Sequence, residues 1–319
     1  MTHSYLTEQE IMAIDPSLFR VVGSSHEISE RITSKPYSYW KSVFKRMSKS
    51  PTFVISAILL VIVVAMACII GIANPAAGVN PGAILEGPSA NHWFGTDEYG
   101  DDLWIKIWVG TKTTLIFTVL IASIQIFLGI LIGSIWGFYS KLDIMFIEFT
   151  RFLSLIPSLV LWLTVIFLFN EKSITVLVIG ISLTSWIALA SVIRVQILLT
   201  KNTEYNIASK VLGTSGPKII RKNIMPKILP IVIQTSTFAI PNAIAIDSLL
   251  TYYGFGFIPA TDSTKASLGS ILNNVFAGTG WQIAPHLIIV PVAFIAGISL
   301  IFFLAGKVFA DSLDPKTHR

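Results

Sequence analysis

The sequence predicts an all-α integral membrane protein with six transmembrane helices. Apolar residues fill 53% of the 319 positions and charged residues only 13%, and the mean hydropathy is +0.71, far from the mix of a soluble domain. The chain also contains several uninterrupted apolar runs of about 20 residues, the length needed to cross hydrocarbon. These runs are continuous rather than alternating, which favours helices over barrel strands as the way to satisfy the backbone in lipid.

Taken in order, residues 1–51 read as a cytoplasmic tail and 52–319 as one membrane domain. The polar stretch ahead of the first apolar run is too long for a signal peptide, so that run is expected to remain as an uncleaved span. TEQE at Thr7 to Glu10 has capping-box spacing and predicts a short helix. Closer to the membrane, 35-KPYSYWKSVFKRMSK-49 interleaves Tyr37, Tyr39, Trp40 and Phe44 with basic residues, the mix of an interfacial helix on anionic membrane lipid. Its juxtamembrane position argues against nucleic acid as the partner of a net charge of +5.

Hydropathy places the spans at about 52–74, 114–138, 144–169, 173–199, 228–252 and 286–309. Cys68, the single cysteine, falls in the first and is expected to be buried and inert, with neither a disulfide nor a thiolate metal site available. Pro157 and Pro241 fall inside spans and predict kinks.

Lys and Arg are sharply sorted. Arg20, Arg31, Lys35, Lys41, Lys45, Arg46 and Lys49 precede the first span; Lys201, Lys210, Lys218, Arg221, Lys222 and Lys227 lie between the fourth and fifth; Lys316 and Arg319 end the chain. The intervening loops hold Lys106, Lys112, Lys172 and Lys265. The positive-inside rule therefore puts both termini and residues 200–227 in the cytoplasm, which an even number of spans requires.

Ionisable groups inside the spans are few, which argues against an ion-coupled carrier or channel, where such groups form the pathway. Arg194, Lys307 and His286 are near enough to helix ends to snorkel. Glu148 and Arg151 are spaced to pair on one helix face. Asp247 sits toward the outer end of the fifth span, where it either lines a cavity or reaches water. Enzyme motifs are equally thin: GTKTT at Gly110 to Thr114 lacks the glycine spacing of a phosphate cradle, and no metalloprotease or nucleophile-elbow pattern is present. Neither catalysis nor a resident metal or cofactor is expected of this chain. Transport against a gradient would draw its energy from another protein.

Between the fourth and fifth spans, residues 202–226 read NTEYNIASKVLGTSGPKIIRKNIMP. Tyr205, Ala208, Val211 and Leu212 recur at helical spacing after Asn202 and Glu204. Gly213 suits the left-handed conformation that ends such a helix. Pro217 suits the first position of a second helix with Ile220 and Ile224 on one face, and Pro226 is expected to redirect the chain into the next span. A helix of about two turns is marginal alone in water, so its apolar face needs cover, either from this chain or from a partner.

After the first span comes 91-NHWFGTDEYGDDLWIKIWVGTKTTL-115. Its acids Asp97, Glu98, Asp101 and Asp102 raise oxygen-ligand metal binding, but no calcium-loop spacing follows and an acidic helix start accounts for them equally well.

These two stretches carry a family resemblance. EYNIASKVLG, with Pro226 beyond it, resembles the EAA-type coupling loop of bacterial ABC importer permeases; Ile207, Ala208, Ser209 and Gly213 occupy its motif positions, with Ile207 where the family often has an acid. His92, Trp93, Gly95, Thr96, Asp97, Gly100 and Asp102 match the HWxGTDxxGxD signature of C-type subunits of oligopeptide, dipeptide and nickel permeases, with Asp101 where an arginine is frequent. Residues 250–274 are similar to the family's loop between spans five and six, with Leu268 in place of a usual tryptophan. YSYWKSVFK, EYNIASKVLGT and the terminal DPKTHR particularly resemble the oligopeptide permeases of Gram-positive bacteria.

The resemblance implies a type I ABC importer permease fold and a non-catalytic subunit of an oligopeptide importer in the bacterial plasma membrane. Implied partners are a second permease subunit, two ATP-binding subunits that carry ATP and magnesium, an extracellular peptide-binding lipoprotein and the peptide itself. It assigns ATPase coupling to Glu204, Tyr205, Ile207, Ala208, Ser209, Val211, Leu212 and Gly213. Asp247, Tyr252 and Phe255 are candidates for lining the pathway. The alternatives are the same architecture carrying a metal chelate such as nickel, an ion-coupled carrier or channel without an ATPase, and a membrane-anchored scaffold.

Overall fold

The computed structural model describes Asp15 and residues 39–74, 81–258 and 265–313. TEQE, most of the tail, part of the 250–274 loop and DPKTHR lie outside the described residues. Contacts divide the chain into two units, residues 1–39 and 40–319. Among its described residues the second is built of helices joined by turns and loops, with one isolated bridge between Thr96 and Asp102.

Helix α1, Tyr39–Lys49, is amphipathic: Val43 and Met47 are buried one turn apart, and Lys41, Phe44 and Lys45 are exposed. Ser50 ends it and caps the next helix, accepting the Phe53 N–H, with Pro51 preset for the first turn. Helix α2, Pro51–Ala73, is the first span. It touches the rest of the unit along a narrow strip that includes Ala67 and Gly71. Cys68 is exposed rather than buried as expected, and it lines an apolar pocket with Lys112, Leu115 and Phe302.

Helix α3, Leu103–Phe138, starts well before the expected second span. Lys106 and Lys112 therefore belong to a helix and not to a loop. They escaped a hydropathy reading because their charges are neutralised locally: Lys106 pairs with two acids, and the Lys112 ammonium donates to the Gly71 carbonyl at the end of α2. GTKTT is part of the same helix, so it forms no phosphate loop.

The third span is a bent pair, α4 (Ser140–Leu155) and α5 (Ser158–Phe169), meeting at 81°. Pro157 causes the break as expected, because a residue before proline is pushed out of the helical region and Ile156 is extended. Helix α6, Ile174–Thr200, is the fourth span, capped by Ser173. Its partner is α3. Gly129, Gly133 and Gly137 line the contact, where added Cβ atoms would lie 2.7 Å from Leu189, 2.7 Å from the Ala190 carbonyl and 2.8 Å from Ile197. Small residues four apart let two membrane helices approach closely.

After a short helix α7, Glu204–Val211, the chain enters a broken segment: α8 (Gly216–Ile219), a π turn (Ile220–Ile224), α9 (Met225–Ser236) and α10 (Ala239–Tyr252). Two expectations change here. Pro226 does not redirect the chain; the wide turn, in which Met225 N–H bonds the Ile220 carbonyl, carries the helix past the proline with one fewer donor to satisfy. Pro241 lies in the first turn of α10, where its missing N–H costs little, and the break falls at Thr237 and Phe238 instead.

Helix α11, Leu268–Ala277, is too short to cross. It is opened by a capping box in which Ser267 and Ser270 bond each other's backbone N–H. Helix α12, His286–Leu313, is the last span. Among the described residues, five helical segments are long and apolar enough to cross, and the bent pair, counted as one span, makes a sixth.

The elements alternate between two ends. The signature end gathers residues 81–102, α11 and the start of α12 over a core of Leu103, Ile107, Ile271, Val275 and Leu287. The basic end packs α8 and the π turn against α6 over Leu189, Ile193, Ile197, Ile219, Ile224 and Ile228, with α7 beside α8.

Candidate functional site

At the basic end, α7 is closed as its sequence predicts. Gly213 has φ +80°, Thr214 N–H bonds Ser209 O at 3.0 Å and Gly213 N–H bonds Lys210 O at 3.0 Å, the paired bonds of a Schellman motif. A Cβ on Gly213 would meet nothing within 4 Å. Backbone conformation alone, not space, selects glycine there.

The helix is held by polar contacts that sequence reasoning overlooked. Asn206 is buried and its amide nitrogen donates to the Thr200 carbonyl at 3.0 Å and to the Thr203 hydroxyl at 3.1 Å. Ser209 accepts from Asn223 at 3.1 Å, which joins α7 to the π turn. The Lys227 ammonium donates to the Tyr205 hydroxyl at 3.3 Å and lies 5.2 Å from its ring centre. Burial opposes ionisation of that phenol, but hydrogen bonding to Thr203 and Lys227 and the lysine charge prevail, so its pKa lies below the usual value.

With those anchors in place, the apolar stripe faces away from the chain. Val211 and Leu212 are 81% and 84% exposed, Ile207 is 50% exposed, and Tyr205, Glu204 and Ala208 are exposed too. Ile207, the departure from the family's acid, faces solvent and makes no ion pair. The stripe is thus left uncovered by the described residues of this chain.

The signature loop behaves differently. Gly95 (φ +78°) and Gly100 (φ +79°) turn the chain back on itself. A Cβ at Gly95 would lie 2.4 Å from the Glu86 carbonyl and 2.6 Å from His286 Nε2. Thr96 is fully buried; its hydroxyl donates to Ala83 O and accepts from Glu86 N–H. Asp97 accepts backbone N–H groups from Tyr99 and Asp101 through one oxygen and Lys106 Nζ through the other at 2.5 Å. Asp101 completes the buried cluster at 2.9 Å from the same ammonium. Asp101, placed where an arginine is frequent, is therefore one of two counter-charges to Lys106.

Asp102 caps α3 by accepting Trp104 and Ile105 N–H groups, and its second oxygen is 2.9 Å from His92 Nδ1. Glu98 accepts the Gly280 N–H, where glycines at 278 and 280 leave room for its carboxylate. These contacts use the acids to assemble the loop. Trp93, 62% exposed, stacks at 4.8 Å on Trp104, which continues through Trp108 to Phe294. His286 packs against Gly95 rather than snorkelling.

The other candidates separate. Asp247 does not reach water; it is 1% exposed, with the Thr114 hydroxyl at 3.3 Å and the Thr251 hydroxyl at 3.5 Å. Thr114 also accepts the Leu268 N–H at 2.9 Å, so Asp247 and Thr114 together seat the start of α11. Tyr252 is 63% exposed at the signature end. Phe255 instead packs edge-on against Phe167 and beneath the Lys172 ammonium. Glu148 and Arg151 do pair, at 3.0 Å and well exposed. Arg194 does not snorkel: Asp143 holds it, as described below. Lys307 is exposed.

Residues 125–319 match the family described as "Binding-protein-dependent transport system inner membrane component". The chain is 32% identical over 312 residues to the oligopeptide transport system permease protein AmiD of Streptococcus pneumoniae, covering 96% of this chain and 99% of that one. It is 28% identical over 309 residues to the oligopeptide transport system permease protein OppC of Bacillus subtilis, with 96% and 99% coverage. The dipeptide transport system permease protein DppC of the same organism is 29% identical over 285 residues, with 88% and 87% coverage. A multi-pass helical protein whose match takes in more than half its length, this chain belongs to the family of binding-protein-dependent transport system inner membrane components.

Proposed function

We propose that this chain is a permease subunit of an ATP-driven importer of oligopeptides and that α7 is its contact with an ATP-hydrolysing subunit. The observation that carries the reading is the exposed end of α7. A short helix whose polar Asn206 is buried while Val211 and Leu212 stand in solvent is inverted for a free surface. Burying those two side chains on a partner would stabilise docking by up to about 1.5–3 kcal/mol each. Because Ile207 has no ion pair, apolar burial rather than charge carries the contact.

In this reading the basic end is cytoplasmic, as the lysine distribution predicts. The start of α2 and the end of α12 both lie at that end. Residues 1–51 form a tail and 52–319 the permease domain. A second permease subunit completes the pathway, two ATP-binding subunits hold ATP and magnesium, and a peptide-binding lipoprotein delivers substrate to the signature end, where Tyr252 is the exposed candidate for the pathway. This chain contributes no catalytic group. Closure of the ATP-binding subunits displaces α7 and changes the relative stability of the transporter's two states.

The test is mass spectrometry of the complex purified in mild detergent. Two ATP-binding chains and a second permease are expected; their repeated absence would leave a channel, a carrier or a scaffold. Uptake assays with oligopeptides and with nickel chelates then separate the two substrate classes. Adding charge by Ala208→Glu is expected to abolish uptake, and normal uptake with normal ATP coupling would sink the assignment of α7.

A further inference from the structure

Among the described residues is a polar cluster that neither the fold nor the α7 contact accounts for. Asp143, in the first turn of α4, meets Arg194 of α6 through two parallel bonds, Nε at 2.5 Å and Nη2 at 2.8 Å. Trp136 of α3 donates its indole N–H to the same carboxylate at 2.8 Å, and its ring lies 5.2 Å from the guanidinium. The arginine and aspartate side chains are 21% and 25% exposed. Nearby, Lys201 Nζ at the end of α6 donates to Gly137 O at 3.1 Å and to the Ser140 hydroxyl at 3.0 Å. Asn206 of α7 bonds Thr200 O, the residue before Lys201.

A continuous polar path thus runs from α7 through the end of α6 to the corner between α3 and α4. In lipid no hydrophobic force holds one helix to another, so close packing and interhelical hydrogen bonds set their relative placement. A bidentate guanidinium–carboxylate pair with a third donor on the same oxygen fixes both distance and direction. We propose that Arg194 and Asp143, steadied by Trp136, are positioning residues that make α7, the end of α6 and the α3–α4 corner move as one body. Displacement at α7 is thereby delivered to α3 and to the Pro157 bend beyond α4. This rests on the reading of α7 as the ATPase contact.

The experiment uses the full complex in liposomes, scoring peptide taken up per ATP hydrolysed and per assembled complex. With Asp143→Asn, the ATP-binding subunits are expected to copurify and hydrolyse ATP as with the parent chain, while uptake per ATP falls about tenfold. Arg194→Lys, which keeps the charge but not the paired bonds, is expected to fall between, and exchanging the two residues (D143R with R194D) to restore most of the ratio. An unchanged ratio in D143N overturns the proposal. So does a loss of uptake in strict proportion to the complex recovered, since that is what a role in stability alone gives. If D143N does not assemble, Trp136→Phe, which removes one bond to Asp143, carries the same test: a lowered ratio supports positioning and an unchanged one overturns it. If the parent complex contains no ATP-binding subunits, the reading of α7 has failed and the proposal falls with it, an outcome distinct from the others.

Discussion

At the signature end, Asp97, Asp101, Asp102 and Thr96 turn inward, and their side chains are bonded to Lys106, to helix N–H groups or to loop carbonyls. At the basic end, α7 buries Asn206, bonds Ser209 to Asn223, and presents Tyr205, Ile207, Val211 and Leu212. Both stretches carry family motifs of similar strength, yet one motif assembles a loop and the other furnishes a surface. A motif's residue types do not separate those roles. What separates them is whether the polar groups have partners within the chain and whether the apolar ones lack them.

Substitutions at the two ends should therefore fail in different ways. The largest effect on stability is expected from Lys106→Met, which strands two buried carboxylates and costs about 3–5 kcal/mol. It is read as a lowered unfolding temperature in detergent, with Lys210→Met on exposed α7 as the control that leaves the temperature unchanged. Next comes Thr96→Val, which removes a buried hydroxyl serving the Ala83 carbonyl and the Glu86 N–H, for about 1–3 kcal/mol in the same assay. Gly213→Val is expected to cost about 1–2 kcal/mol of local stability, through the left-handed backbone alone. Hydrogen exchange at the Thr214 and Gly213 amides should report it while global unfolding barely moves. The smallest effect belongs to Glu148→Ala, whose exposed pair with Arg151 is worth at most about 0.5 kcal/mol. Equal unfolding penalties for K106M and G213V would erase the distinction between the two ends.

The spans and α7 were legible because they rest on local rules: apolar length, helical spacing, and glycine at a left-handed position. The Pro157 break was legible for the same reason. What escaped reading depends on partners distant in sequence. Lys112 reads as a loop charge because the Gly71 carbonyl that accepts its ammonium lies 41 residues away. Arg194 reads as a helix-end arginine because Asp143 lies 51 residues away. The seat of Asp247 is hidden for the same reason: Thr114, which donates to its carboxylate, lies 133 residues away. Two features did leave unused signals: glycines four apart at 129, 133 and 137 marked the α3–α6 contact, and Ser267 with Ser270 marked the start of α11. Pro226 misled because proline usually ends a helix, whereas a π turn here absorbs it.

The central claim is that the exposed apolar end of α7 binds an ATP-hydrolysing subunit, and the most direct measurement is pull-down of the complex carrying Val211→Asp and Leu212→Asp together. The account predicts that the second permease remains bound, the chain unfolds at its usual temperature, and the ATP-binding subunits are lost. Retention of those subunits with undiminished peptide uptake would contradict it.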